Sequence, residues 1–181
     1  MGKAVVLIDG GYLNKVLEKI YHRPPFSYEK FCNKLCEKAE CQRVRTYYYN
    51  CPPFQSNPPT EIESQKTADY DCFIKFLKDT PRFLYRPGRL QRIGGEFKQK
   101  HVDVHLSVDL VKLSCKHSID KAILVTGDSD FVPAVDVAKE EGVVTILYYS
   151  NIPPMYIHRE ILEKCDEKYL IDADIMATSR P

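Results

Sequence analysis

No apolar run in this chain approaches the roughly 20 residues needed to cross a bilayer, so no membrane span is expected. The start, Met1 to Asp9, has too short an apolar stretch for a secretion signal, and a carboxylate interrupts it. A cytoplasmic protein is the expectation. Net charge is nearly absent: 26 Lys and Arg stand against 25 Asp and Glu, leaving +1. The whole molecule therefore has no strong field to draw in polyanions, and a nucleic-acid footprint must come from a local basic patch. Seven cysteines, an odd number, include no Cys-x-x-Cys pair, which argues against a disulfide framework. Cys32, Cys36 and Cys41 invite a zinc site, yet Cys32 and Cys36 lie one helical turn apart beside Phe31 and Leu35, as small core residues do. No Gly-x-x-x-x-Gly-Lys-Ser/Thr segment exists, so a P-loop is unsupported. Asp9-Gly10-Gly11 lacks a second aspartate two residues on, which leaves an aspartyl-phosphate mechanism without its motif.

What is present is an alternation of strand and helix signals. At 181 residues the chain fits one domain, expected over 1–174 with 175–181 as a C-terminal tail. Ala4 to Ile8, Arg43 to Tyr49, Ala122 to Val125 and Val143 to Tyr149 read as strands, and Tyr169 to Ile171 as a short last one. Helices are expected over 12–20, 28–39 with Ser27 as cap, 60–78, 104–117, 131–141 and 157–165. Phe83 to Tyr85 and Arg89 to Ile93 flank Pro87-Gly88, a turn signal that predicts a hairpin. Tyr47-Tyr48-Tyr49 reads as a strand with alternating core and surface rings. The alternation predicts an α/β fold, a three-layer α/β/α sandwich around a mostly parallel sheet.

In such a sheet, ligands bind outside the carboxyl ends of the strands. Asp9 follows the first strand directly, and Asp128 and Asp130 follow Ala122 to Val125. Asp103 begins the helix before that later strand, and an antiparallel crossover would bring it to the same edge. Several carboxylates together repel one another unless a cation is present. Hard oxygen donors suit Mg²⁺ or Mn²⁺ rather than zinc. An ion so held can activate water and reach a substrate phosphate, which phosphodiester hydrolysis requires.

Three segments carry a resemblance: Val6-Leu7-Ile8-Asp9-Gly10-Gly11-Tyr12-Leu13-Asn14, Lys100-His101-Val102-Asp103-Val104, and Val125-Thr126-Gly127-Asp128-Ser129-Asp130-Phe131-Val132-Pro133. In this order they resemble the NYN domain of the LabA group, within the PIN-like nuclease fold. The resemblance implies a metal-dependent ribonuclease whose acidic positions are Asp9, Asp103, Asp128 and Asp130. Asp109 matches a further acid of that group's helix. Where the family places asparagine soon after the first aspartate, this chain has Tyr12. Asn14 as a polar orienter, or Tyr12 stacking on a base, would take that part.

Arg82, Arg86, Arg89, Arg92, Lys98, Lys100 and His101, interleaved with Tyr85 and Phe97, precede Asp103. Cations and rings in one stretch suit a single-stranded RNA path, with Arg89, Arg92 and Lys100 as substrate contacts. The competing expectation is an RNA-binding or regulatory module that keeps the fold without efficient catalysis. Aromatic and proline-rich stretches at Tyr47 to Phe54 and Ile152 to Tyr156 offer a homo-oligomer interface.

Overall fold

The apolar run Ala4 to Ile8 occupies the centre of strand β1 (Gly2–Asp9), and all five side chains are buried. Successive strand residues point to opposite faces, so a strand covered on both sides needs apolar residues at every position. Accordingly Ala4, Val6 and Ile8 join one apolar cluster, while Val5 and Leu7 join the other. The computed structural model describes residues 1–93, 96–100 and 102–181, with the side chains of 90–93 and 96–100 outside that description.

β1 pairs in parallel with β2 (Cys41–Asn50) on one side and with β6 (Lys121–Val125) on the other. β3 (Phe83–Pro87) lies beyond β2, and β7 (Val144–Tyr149) and β8 (Glu167–Leu170) lie beyond β6. The six-stranded sheet therefore runs β3-β2-β1-β6-β7-β8, with every pairing parallel. This is the doubly wound order, in which the winding reverses between β1 and β6. Helices α1 (Gly10–Lys19), α2 (Tyr28–Lys38), α3 (Glu61–Asp79) and α7 (Ala173–Thr178) cover one face. Helices α4 (Val102–Cys115), α5 (Val132–Glu140) and α6 (Arg159–Lys164) cover the other. The expected α/β/α sandwich is present, and its central sheet is wholly parallel.

Several local expectations are corrected. The hairpin does not form across Pro87-Gly88. α3 acts as a crossover and delivers β3 in parallel beside β2, with Tyr48 opposite Tyr85. The antiparallel partner of β4 (Arg89–Ile93) is instead the strand that follows it, β5 (Glu96–Lys100). Gly94, Gly95 and His101 lie outside the described residues. Tyr47, Tyr48 and Tyr49 do not alternate between core and surface. Both faces of β2 are covered, so Tyr48 enters the first cluster and Tyr47 and Tyr49 the second. That burial removes them from the proposed oligomer surface. Cys32, Cys36 and Cys41 belong to the first core cluster. Among the described residues, no helix is long and apolar enough to cross a membrane.

The stretch after Asp174, expected as a tail, is the end of a docked helix. Asp172 caps α7 by accepting from the Ile175 amide at 2.9 Å, and Ile175 and Met176 are buried in the first cluster. The Ser27 amide donates to the Ser179 carbonyl at 2.7 Å, tying the chain end to the start of α2. At six residues, with only Ile175 and Met176 buried, α7 is too short to show a helical period in the sequence. Removing the Ile175 side chain beyond Cβ leaves a core cavity, so Ile175→Ala should destabilise the fold by about 2–5 kcal/mol. A shifted urea midpoint checks this, and an unchanged midpoint would mean that the segment is a tail after all.

Candidate metal centre

The first acidic turn forms where β1 meets α1. Asp9 caps α1, its Oδ1 accepting from the Tyr12 amide at 3.1 Å. Gly10 permits this entry, because a Cβ there would stand 2.6 Å from the Tyr48 ring and 2.7 Å from the Tyr49 carbonyl oxygen. The second acidic turn follows β6. Asp128 caps a short 3-10 turn (Ser129–Phe131), its Oδ1 accepting from the Asp130 amide at 3.1 Å. Thr126 joins the two turns. Its fully buried hydroxyl donates to Asp9 Oδ2 at 3.5 Å and accepts from the Asp128 amide at 3.2 Å. Asp103 lies in the first turn of α4, whose N-terminus reaches the same sheet edge. Asp9, Asp103 and Asp128 thus line one open cleft of about 480 Å³. It lies at the winding reversal, where the chain diverges to opposite faces and leaves a crevice.

Confinement acts on these carboxyls. Burial pushes the Asp9 carboxyl up to about 6; the Tyr12 amide opposes that shift, and the charges of Asp103 and Asp128 reinforce it. Asp103 is also raised, first by burial and then by Asp128 and Asp130. Asp130 itself is exposed and does not line the cleft, but its charge reaches Asp103. Asp109 stands apart from the cleft. Six residues turn a helix by well over a full revolution, so Asp109 and Asp103 face different ways. Asp109 is buried and accepts from the Tyr49 hydroxyl at 3.0 Å and from Arg86 Nε and Nη2 at 2.9 and 3.2 Å. Its charge is satisfied within the second core, which gives it a structural place.

Of the candidate substrate contacts, Tyr12 lines the cleft as part of its wall. The residue is only 8% exposed, too little for its ring to stack on a base, and its hydroxyl accepts from the Ser150 amide at 2.9 Å. It also packs where a Cβ on Gly127 would stand, 2.6 Å from the ring, which explains the glycine. Asn14 lines a different cleft on the neighbouring side of α1. Arg89 is exposed on β4. Arg92 and Lys100 lie on β4 and β5, with their side chains outside the described residues.

Sequence reasoning missed Lys15, Tyr156 and His158 in the cleft and Thr126 buried behind it. Thr126 was read only as part of a motif, although its hydroxyl links both acidic turns. Lys15 lines the cleft with Gly11 and Tyr12; its spacing of four and three residues from them was a usable signal. Tyr156, 81% exposed, and His158 lie in the segment after β7, which opens on the same sheet edge. The His158 amide donates to the Gly127 carbonyl at 3.1 Å, anchoring that segment to the second acidic turn.

The fold and site define a doubly wound α/β protein with an acidic cleft at its switch point. Comparison with known proteins agrees. A model of the NYN domain matches residues 3–172, so the chain belongs to the NYN domain family, a PIN-like nuclease family. Among solved structures, VPA0982 from Vibrio parahaemolyticus RIMD 2210633, a protein of unknown function, aligns with a TM-score of 0.66 and 22% identity over 97% of this chain and 96% of that one. That likeness shows a shared fold. Nicotinic acid mononucleotide adenylyltransferase of Plasmodium falciparum, complexed with APC, aligns at 13% identity over 98% and 79% of the two chains. Its TM-score of 0.36 carries no argument. No curated protein matches this chain.

A pH dependence follows from Asp9. Its folded carboxyl titrates near 6 against an ordinary 3.8, so the folded state holds the proton more tightly. Below about pH 4 both states are protonated and stability is highest from this group; it is lost as pH rises through 6. The shift corresponds to about 3 kcal/mol at neutral pH. Asparagine keeps the helix cap without the charge. Metal-free Asp9→Asn should therefore be about 1–3 kcal/mol more stable than the parent at pH 7.5, with the gap closing by pH 4. Urea denaturation across pH measures this, and a variant weaker than the parent at every pH would refute it.

Proposed function

We propose that the chain is a metal-dependent ribonuclease of the LabA-like group, which hydrolyses phosphodiester bonds in single-stranded RNA. The observation that carries this reading is the convergence of Asp9, Asp103 and Asp128, from three separate elements, on one open cleft. The donor chemistry fits Mg²⁺ or Mn²⁺: three hard carboxylates, two of them raised in part by their neighbours' charge, are an arrangement that a divalent cation relieves. Among the described residues, no three acidic, histidine or cysteine side chains are already closed around one point. Binding would therefore draw the three carboxylates inward. Such an ion, when bound, supplies water activation and neutralises charge developing on the phosphate.

The chain's own groups do the positioning. Thr126 holds Asp9 Oδ2, and the Asp130 amide holds Asp128 Oδ1, so each carboxylate keeps a free oxygen lone pair for the cleft. Lys15 places a cation on the wall for a non-bridging phosphate oxygen. Tyr156 offers an exposed ring at the rim on which a base could stack. An open cleft suits a polymer that enters and leaves sideways. The unclosed carboxylates are what favours the second reading, an RNA-binding module with little catalysis.

Incubating the purified protein with labelled single-stranded RNA separates the two readings. Cleavage is expected with Mn²⁺ and none with EDTA, and Asp128→Asn should lower the rate by roughly 100-fold or more. Binding without metal-dependent cleavage, unchanged in Asp128→Asn, would leave the non-catalytic module standing.

A further inference from the structure

A second cleft, larger than the acidic one at about 710 Å³, lies on the neighbouring side of α1. Its size falls within the usual range for small-molecule sites. At roughly 100° per residue, Gly11, Tyr12 and Lys15 turn one arc of α1 to the acidic cleft, and Asn14, Leu17 and Glu18 turn the adjoining arc to this one. The exposed ridge of one helix is thus all that α1 places between the two.

The second cleft is walled by rings that the core holds in place. Phe26, Tyr28, Tyr70 and Phe73 line it. Tyr28 meets Phe26 edge-on at 4.9 Å, meets Phe73 at 5.1 Å, and meets the buried Tyr48 edge-on at 5.6 Å. Such a cluster is pre-ordered, so a flat ligand entering it would not have to immobilise the walls. Charge at the rim is balanced. Arg23 and Lys66 stand with Glu18 and Asp69, and Arg23 is paired to Glu18 at 2.9 Å. A rim of that kind has no net charge to attract phosphate, and it suits a neutral aromatic ring.

One amide gives the cleft its polar direction. The Asn14 carbonyl oxygen accepts from the hydroxyls of Tyr28 at 3.5 Å and Tyr48 at 3.4 Å. What Asn14 has left to offer a ligand is therefore its N–H pair, which matches a carbonyl on a ring.

We infer that this cleft is a nucleobase subsite, binding a base with a ring carbonyl while the rest of a single-stranded RNA crosses α1 beside Lys15 to the acidic cleft. The subsite rests on the ribonuclease reading for its RNA, but its own chemistry needs no catalysis. Base stacking on fixed rings is tolerant of sequence, while the Asn14 donors add a preference for carbonyl-bearing bases.

The test is an NMR titration of the metal-free full chain with uridine, with ribose 5-phosphate as the control. Uridine should saturably shift the Asn14 side-chain amide and the Tyr28 and Phe73 ring resonances, and ribose 5-phosphate should not. Asn14→Asp can still accept from both tyrosine hydroxyls but loses the donors. It should weaken uridine binding at least tenfold with the melting temperature essentially unchanged. It should also weaken metal-free binding of a 12-nucleotide single-stranded RNA several-fold. Phe73→Leu, which removes a ring without removing apolar bulk, should likewise weaken uridine. Shifts confined to the acidic cleft, equal shifts from ribose 5-phosphate, or undiminished binding by Asn14→Asp would each overturn the subsite. A chain that binds uridine here and cuts no RNA keeps the subsite and loses the nuclease. A chain that cuts RNA and ignores uridine does the reverse.

Discussion

Confinement of three carboxylates in one cleft, where burial first and their neighbours' charge second disfavour ionisation, is the constraint on which the rest of this protein's site depends. The fold works against that cost. β1, β6 and α4 bring Asp9, Asp128 and Asp103 to the same sheet edge, and burial raises Asp9 to about 6. A free chain would separate these charges. The parallel sheet prevents it, because Asp9 and Asp128 belong to the ends of two hydrogen-bonded neighbours, and the Thr126 hydroxyl ties their turns together. The stability lost there is offset by two apolar cores, which cover both faces of β1 completely. Local destabilisation at a functional site, supported by a well-packed frame, is a common division of labour.

Close approach is the second constraint. Gly10 lets α1 start against β2, and Gly127 lets the turn after β6 pass the Tyr12 ring. These glycines sit beside Asp9 and Asp128 for a steric reason: a Cβ at either would hold the acidic turns away from their present positions. Tyr12 then reaches past Gly127 to accept from the Ser150 amide, which fixes the start of the segment bearing Tyr156 and His158. One buried ring thus connects the first acidic turn, the second and the rim.

Much of this was legible in the sequence, and the parts that were not share a cause. Ala4 to Ile8 and Ala122 to Val125 announced buried strands because both faces are covered, and aspartates at their ends marked the edge. Tyr47 to Tyr49 misled because alternation between core and surface assumes one wet face, whereas β2 has none. Asp109 matches a further acid of the family's helix, but its place depends on the helical turn between it and Asp103 and on Arg86, which is distant in sequence. Asn14 is likewise a matter of which arc of α1 meets which cleft. α7, at six residues, is too short to show a period, and only its docking against α2 and the first core reveals it. Local pattern carried the strands and the acidic edge; facing and partnership needed the assembled molecule.

The most direct test of the central claim is a crystal structure of the protein soaked in Mn²⁺, with the ion located by its anomalous scattering. The account predicts a peak in the cleft within roughly 2.0–2.4 Å of oxygens from Asp9, Asp103 and Asp128, with Asp130 outside the inner sphere and Asp109 still on Arg86. A cleft with no peak and the three carboxylates still apart, or Mn²⁺ bound elsewhere on the chain, would contradict it.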